Sequence, residues 1–154
     1  EKLPLRKGVG VIILNSKNKV CVARRIDNPK NYWQMPQGGV ENGEDYYKAA
    51  LRELKEETNI KSISLVKEID GFISYNLPNN LLGIIWKGKY KGQKQKWFIM
   101  KFTGKDSEIN INTKKPEFLD WRWADLETIV DTVVDFKLKV YEQLIIEVKK
   151  IIPN

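Results

Sequence analysis

The residues with most chemical content lie between Gly38 and Ile60, in GGVENGEDYYKAALRELKEETNI. Arg52, Glu53, Glu56 and Glu57 fall on one stretch of helical pattern, where positions three and four apart are neighbours. Like charges at that spacing each cost roughly a few tenths of a kcal/mol. Glu56 and Glu57 also sit in the last helical turn, where the macrodipole disfavours anions. An acidic cluster on a helix is ordinarily a solvated face, and Lys48, Arg52 and Lys55 could partly screen this one. A hard divalent cation would turn the same arrangement to advantage, because Mg²⁺ prefers carboxylate oxygens, water and substrate phosphates. Carboxylates gathered around such an ion beside a glycine loop suit hydrolysis of phosphoanhydrides.

The elements around the cluster favour this second reading. Trp33-Gln34-Met35-Pro36-Gln37-Gly38-Gly39 is a Gly/Pro-rich approach that lets backbone come close to a ligand. Over about 45–58, Tyr47, Ala50, Leu51 and Leu54 recur at helical spacing and give the helix a separate face for the core. Asn59 supplies a left-handed stop. Elsewhere, Val9 to Leu14 and Lys19 to Arg25 read as strands joined by turn chemistry at Asn15 to Asn18. A polar loop with Pro29 follows. Ile63 to Ile73 and Trp97 to Thr103 read as strands, and Leu82 to Trp86 as a weaker one. Lys87 to Lys96, basic and glycine-punctuated, reads as a hairpin loop, and Lys105 to Lys115 as a polar connection. Phe118 to Trp123 reads as a strand, with Asp125 capping a short helix. A final helix runs from about Asp135 to Ile151. Strands mixed with helices on each side predict an α+β fold, an α/β/α sandwich.

The chain of 154 residues is long enough for one core-forming domain, and no second-domain linker or repeat is visible. A hydrophobic content of 42% with 31% charged residues is that of an ordinary globular protein. No run reaches the roughly 20 apolar residues that cross a membrane, and no signal peptide is visible. The chain starts at Glu1 rather than Met, as though an initial stretch were missing or processed. The single Cys21 lies in an apolar run and reads as a small buried side chain. These points predict a cytoplasmic address. Histidine is absent, which excludes serine–histidine triads and histidine acid/base chemistry. The proton acceptor must then be a carboxylate, lysine, tyrosine or metal-activated water. Lys and Arg number 27 against 20 Asp and Glu, a net charge of +7. With acids concentrated in one cluster, the remaining surface is basic enough to attract polyanions.

The segment 38–60 resembles the Nudix box, G-x5-E-x7-R-E-U-x-E-E-x-G-U, where U is a bulky aliphatic. Gly38, Glu44, Arg52, Glu53, Leu54, Glu56, Glu57 and Ile60 fall in register. The departure is Asn59 in place of glycine, and Asn is the next most tolerant residue for the left-handed conformation. Ala23-Arg24-Arg25, the WQMPQGG run, Tyr75-Asn76-Leu77-Pro78, Gly92 to Phe98, Pro116-Glu117-Phe118, Trp121-Arg122-Trp123 and Phe136-Lys137 are similar to one branch of that family. That branch comprises the bacterial RNA pyrophosphohydrolases, also described as dinucleoside polyphosphate hydrolases. The resemblance runs from about Arg6 to the last helix.

The resemblance implies a single Nudix domain over 1–154, with a mixed sheet between helices and the box as a loop-helix-loop. It implies a Mg²⁺ cofactor, with Mn²⁺ or another divalent cation able to substitute. The ligands would be Glu53 and Glu57, then Glu56, the carbonyl of Gly38 and the remote Glu117. Arg52 would orient Glu53, and Glu44 would support the loop or the Arg52 network. The general base would be Glu53 or Glu56 with Glu117 assisting, and the sequence leaves that choice open. Arg6 and Arg25 would meet the 5′ phosphates or adjacent nucleotide, with Tyr75 and Lys96 as further phosphate contacts. Phe136 with Lys137 suits a stacking-plus-cation pair for a base and backbone, or else Phe136 is a core residue at the helix start. Trp97, Phe98, Trp121 and Trp123 read as core.

The implied activity is removal of pyrophosphate from the 5′ end of triphosphorylated or diphosphorylated RNA, which exposes the message to decay. The alternative is hydrolysis of dinucleoside polyphosphates such as diadenosine tetraphosphate, with release of ATP. A non-catalytic RNA-binding scaffold would have lost box carboxylates, and none is lost. A sanitiser of oxidised nucleotides would share the box but not the signatures at 75–78 and 92–98. No obligate protein partner is implied.

Overall fold

The computed structural model describes residues 3–27 and 30–152; the expected loop residue Pro29 and the start at Glu1 lie outside them. Eight strands form one mixed sheet: β1 (Leu5–Leu14), β2 (Val20–Arg25), β3 (Trp33–Gln34), β4 (Gln37–Gly39), β5 (Ile63–Glu68), β6 (Ile73–Asn76), β7 (Gly92–Phe102) and β8 (Phe118–Ala124). The main path runs β3-β2-β1-β7-β5, with β4 on β1, β6 on β7 and β8 on β2. Only β1 and β7 pair in parallel, from Leu5 opposite Gly92 to Leu14 opposite Lys101. From Val9 to Leu14 and from Trp97 to Met100 the two strands are apolar on both sides, as strand segments buried on two faces must be.

Strand alternation builds two cores. Val9, Val11 and Ile13 of β1 join Phe98, Met100 and Phe102 of β7 beneath α1 (Tyr46–Thr58), through Ala49, Ala50 and Leu54. Ile12 and Leu14 join Trp97 and Ile99 on the other face. There α2 (Ile129–Thr132) and α3 (Leu138–Lys149) close the layer with Ile129, Tyr141, Leu144 and Val148. The result is the expected α/β/α arrangement. Among the described residues, no helix is long and apolar enough to cross a membrane.

Helix α1 is bounded as its sequence requires. The Asp45 carboxylate accepts from Lys48 N at 3.1 Å, which satisfies one orphan amide. Asn59 stops it at φ 62°, its amide donating to Lys55 O at 2.9 Å.

Four expectations need correction. The run 63–73 is two strands, because Asp70 and Gly71 (φ 73°) kink the chain between its two contacts with β7. Residues 82–86 form turns and a short 3-10 segment, with Trp86 and Lys87 at positive φ. Gly92 to Lys96 is strand rather than loop, since Gln93 and Gln95 are buried, with Gln95 Nε2 donating to Gln93 Oε1 at 2.9 Å. Asp125 precedes a 3-10 turn without capping it through its side chain, which pairs instead with Lys19 at 3.4 Å.

Candidate active site

The approach segment before α1 is pinned by the backbone of β1 and by a side chain of α3. Val11 N donates to Pro36 O at 2.9 Å, and Met35 N donates to the buried Tyr141 hydroxyl at 2.8 Å. Gly38 and Gly39 are thereby laid along β1 and under α1. Each glycine is needed for close approach: a β-carbon on Gly38 would overlap the Glu53 carboxyl, and one on Gly39 would overlap the Arg6 guanidinium.

Arg52 organises the acids of the helix. It grips Glu44 with Nε to Oε2 at 2.8 Å and Nη2 to Oε1 at 2.9 Å. The same side chain donates to Gly39 O at 2.9 Å and to Glu53 Oε2 and Glu56 Oε1 at 3.2 Å each. Paired this way, the Glu44 carboxyl is held down to about 2, chiefly by the Arg52 hydrogen bonds. Glu53 also accepts from Gly39 N at 3.2 Å. Burial, opposed by Arg52, leaves its carboxyl raised above the ordinary range.

Glu57 is the unusual acid. It is 4% exposed, and its Oε1 has no hydrogen-bond partner. Burial, with Glu117 and Glu53 nearby, pushes its carboxyl well up, offset only in part by Arg25 and the Gln37 backbone. A buried carboxylate oxygen left bare, facing two further acids, fits a divalent cation. Among the described residues, no three acids already converge on one point. Glu53 is turned to Arg52 and Gly39, and Glu56 is 59% exposed on the far side of Arg52.

A cleft of about 900 Å³ opens in front of these acids. Gly38, Glu53, Glu57 and Glu117 line it together with Arg6, Arg25, Tyr75, Phe136 and Lys137. Arg25 chelates Asp27 at 2.8 and 2.9 Å and reaches Glu117 at 3.4 Å, which ties the remote acid to the site. Lys137 Nζ lies 5.4 Å from the Tyr75 ring centroid and 6.0 Å from that of Phe136. Burial, aided by Arg25, lowers the Lys137 ammonium to about 8, with Glu57 opposing. Phe136 is partly buried and packs 5.7 Å from Tyr75, ring centre to ring centre.

Lys96 is not brought to the cleft. It alternates with Gln95 and Trp97 and so leaves the other face of β7, where Nζ meets Glu68 at 3.3 Å and Gly71 O at 3.1 Å. Two features of the cleft escaped the sequence reading. Trp86 lines it, because its connection folds inward instead of extending. Gln37 forms part of its lining and accepts from Gln95 Nε2 at 3.2 Å; Gln95 in turn links Gln93 and Trp97. Two glutamines alternating beside Trp97 were the available signal for an inward-facing amide row. A separate depression of about 600 Å³ around Lys17, Lys19, Asp106 and Trp123 has Asp106 as the one acid in its lining.

The NUDIX domain model matches residues 4–144. The chain is 67% identical over 150 residues to the RNA pyrophosphohydrolase of Pelagibacter ubique (strain HTCC1062), covering 97% of this chain and 95% of the relative. It is 48% identical over 145 residues to the protein of the same name in Rhodospirillum rubrum, covering 94% and 87%. Among solved structures, the E. coli dihydroneopterin triphosphate pyrophosphohydrolase superposes with a TM-score of 0.73 at 22% identity, covering 96% of this chain and 99% of that one. A C. elegans Ap4A hydrolase gives 0.68 at 22%, covering 95% and 99%. At that identity the two structures share the fold.

Proposed function

The chain belongs to the Nudix family, and from that membership we propose that it removes pyrophosphate from the 5′ end of triphosphorylated RNA, leaving a 5′ monophosphate. The observation that carries the reading is the mixed lining of the cleft. Acids with one bare buried oxygen line it together with Arg6, Arg25 and Lys137 beside aromatic rings. A polyphosphate attached to a nucleoside needs both. The names of the two bacterial relatives favour RNA over dinucleoside polyphosphates.

Glu53, Glu57 and the Gly38 carbonyl would hold a divalent cation, Mg²⁺ by preference, with Glu117 and a reoriented Glu56 as further ligands. Such an ion, when bound, offsets phosphate charge and makes water a better nucleophile. The protein's own groups do the rest. Arg52 fixes Glu53, and the Glu53 carboxyl, raised by burial, takes the proton of the attacking water. Glu56 is a weaker choice of base because it does not line the cleft. Water attacks phosphorus, the bridging P–O bond breaks, and pyrophosphate leaves. Arg6 and Arg25 grip phosphate oxygens. Phe136 stacks a base near the 5′ end while Lys137 meets the backbone. The reaction, and the buried thiol of Cys21, suit the cytoplasm.

The test is turnover of 5′-triphosphorylated RNA beside diadenosine tetraphosphate at matched Mg²⁺. RNA is expected to be the better substrate, activity to vanish with EDTA and return with Mg²⁺ or Mn²⁺, and Glu53→Gln to lower kcat by ~10²-fold or more. Efficient cleavage of diadenosine tetraphosphate with untouched RNA ends would overturn the assignment.

A further inference from the structure

Trp86 sits on the connection between β6 and β7 with φ 52° and ψ 35°, followed by Lys87 at φ 58°. Side chains in this region cost roughly 1 kcal/mol or more per residue. Around Trp86 the connection's hydrogen bonds are local, Ile84 N to Leu81 O at 3.0 Å and Lys89 N to Trp86 O at 3.2 Å. The strained backbone turns the indole into the cleft, where the Arg6 guanidinium carbon lies 5.1 Å from the ring centroid. The same guanidinium packs on Gly39 so closely that no β-carbon fits there.

Arg6 also differs from the other arginines near the acids. Arg25 is chelated by Asp27, and Arg52 by Glu44. Among the described residues, Arg6 has a ring for a partner and no carboxylate or hydrogen-bond acceptor. An indole face attracts a cation without consuming its N–H donors. Arg6 is therefore confined in place while its donors stay open to an anion.

We propose that Trp86 is a positioning residue for phosphate recognition: its indole confines the Arg6 guanidinium against Gly39, leaving the N–H edge for the substrate's polyphosphate. The inference rests on the polyphosphate reading of the cleft. Confinement before binding reduces the side-chain entropy lost when the phosphate arrives. The device acts on affinity and leaves the attack on phosphorus alone.

The experiment compares Trp86→Ala, Trp86→Phe and Trp86→Gly, each alone and with Arg6→Ala. It reads KM and kcat on 5′-triphosphorylated RNA, and calorimetric binding of inorganic triphosphate in EDTA. Trp86→Ala and Trp86→Gly should raise KM and the triphosphate Kd by about 3- to 30-fold, the range of a desolvated cation–ring contact, with kcat nearly unchanged. Trp86→Phe should recover most of the loss, and none of the three should weaken binding further once Arg6 is alanine. Trp86→Gly relaxes the positive φ, so it carries the comparison even where alanine harms the fold. An unchanged KM, a phenylalanine variant as poor as alanine, or a full loss persisting without Arg6 would each overturn the proposal. If the wild type left RNA ends intact, the RNA assignment would fall, and the calorimetric comparison would still decide the role of Trp86.

Discussion

Gly38 lies against the carboxyl group of Glu53 with no room for a β-carbon between them. A strand glycine and a helical glutamate, fifteen residues apart, thus fix each other's position. The contact is steric as well as polar, since the neighbouring Gly39 amide also donates to Glu53 at 3.2 Å.

Gly38→Ala should therefore displace the Glu53 carboxyl while leaving the sheet intact. Displacements of about 1 Å cost up to ~10²-fold in rate, so kcat should fall by about 10- to 100-fold with an unchanged circular dichroism spectrum. A variant with wild-type kcat would detach Glu53 from the reaction.

Glu57→Gln should uncouple stability from activity. The wild type buries an acid with a bare oxygen facing Glu53 and Glu117, an arrangement that costs stability until a cation joins it. In EDTA the variant should melt above the wild type. Added Mg²⁺ should raise the wild-type Tm and leave that of the inactive variant nearly still. Differential scanning fluorimetry with and without Mg²⁺ reads both.

Tyr141→Phe removes the acceptor of the buried Met35 amide. An orphaned buried amide costs about 1–3 kcal/mol, or a Tm lower by roughly 2–10 °C at this chain length. Because Met35 leads directly into the glycine pair, kcat should drop in the same variant at temperatures well below its Tm. A stable variant with normal turnover would show that the approach segment needs no anchor on α3.

Acid sensitivity should trace in part to Glu108, away from the cleft. Its carboxylate accepts from Ser62 Oγ at 2.6 Å, Lys61 N at 2.7 Å and Ser62 N at 2.8 Å, and these bonds hold its carboxyl below the ordinary 4.5. A depressed folded value means stability present above the unfolded value and lost as pH falls through the folded one. Glu108→Gln should cost about 1 kcal/mol at neutral pH, after allowance for the solvent that reaches it. Urea titrations at pH 7 and pH 3 should show that gap closing in acid; a gap independent of pH would assign it to shape rather than charge.

The helix of the box and its left-handed stop were legible because local rules set both, namely apolar spacing and the tolerance of asparagine for positive φ, whereas the Arg52 network was implied by the family resemblance. The break at Asp70 and Gly71 was hidden inside an apolar run whose two halves meet different parts of β7. Gln93 and Gln95 looked like loop residues because polarity reads as exposure. Their burial depends on amide partners that only the sheet assembles. Lys96 went astray by one step of strand alternation. Trp86 could not be anticipated, since nothing local in Ile-Ile-Trp-Lys announces positive φ on a tryptophan.

The parallel seam between β1 and β7 joins residue 5 to residue 92. During synthesis at roughly 5–20 residues per second, β1 waits several seconds for its central neighbour. Arg6 and Val9 emerge early, yet the wall that completes their surroundings comes more than half a chain later. The nascent polypeptide therefore cannot assemble its catalytic cleft until most of it has left the ribosome, and an apolar strand stays in need of shelter throughout that interval.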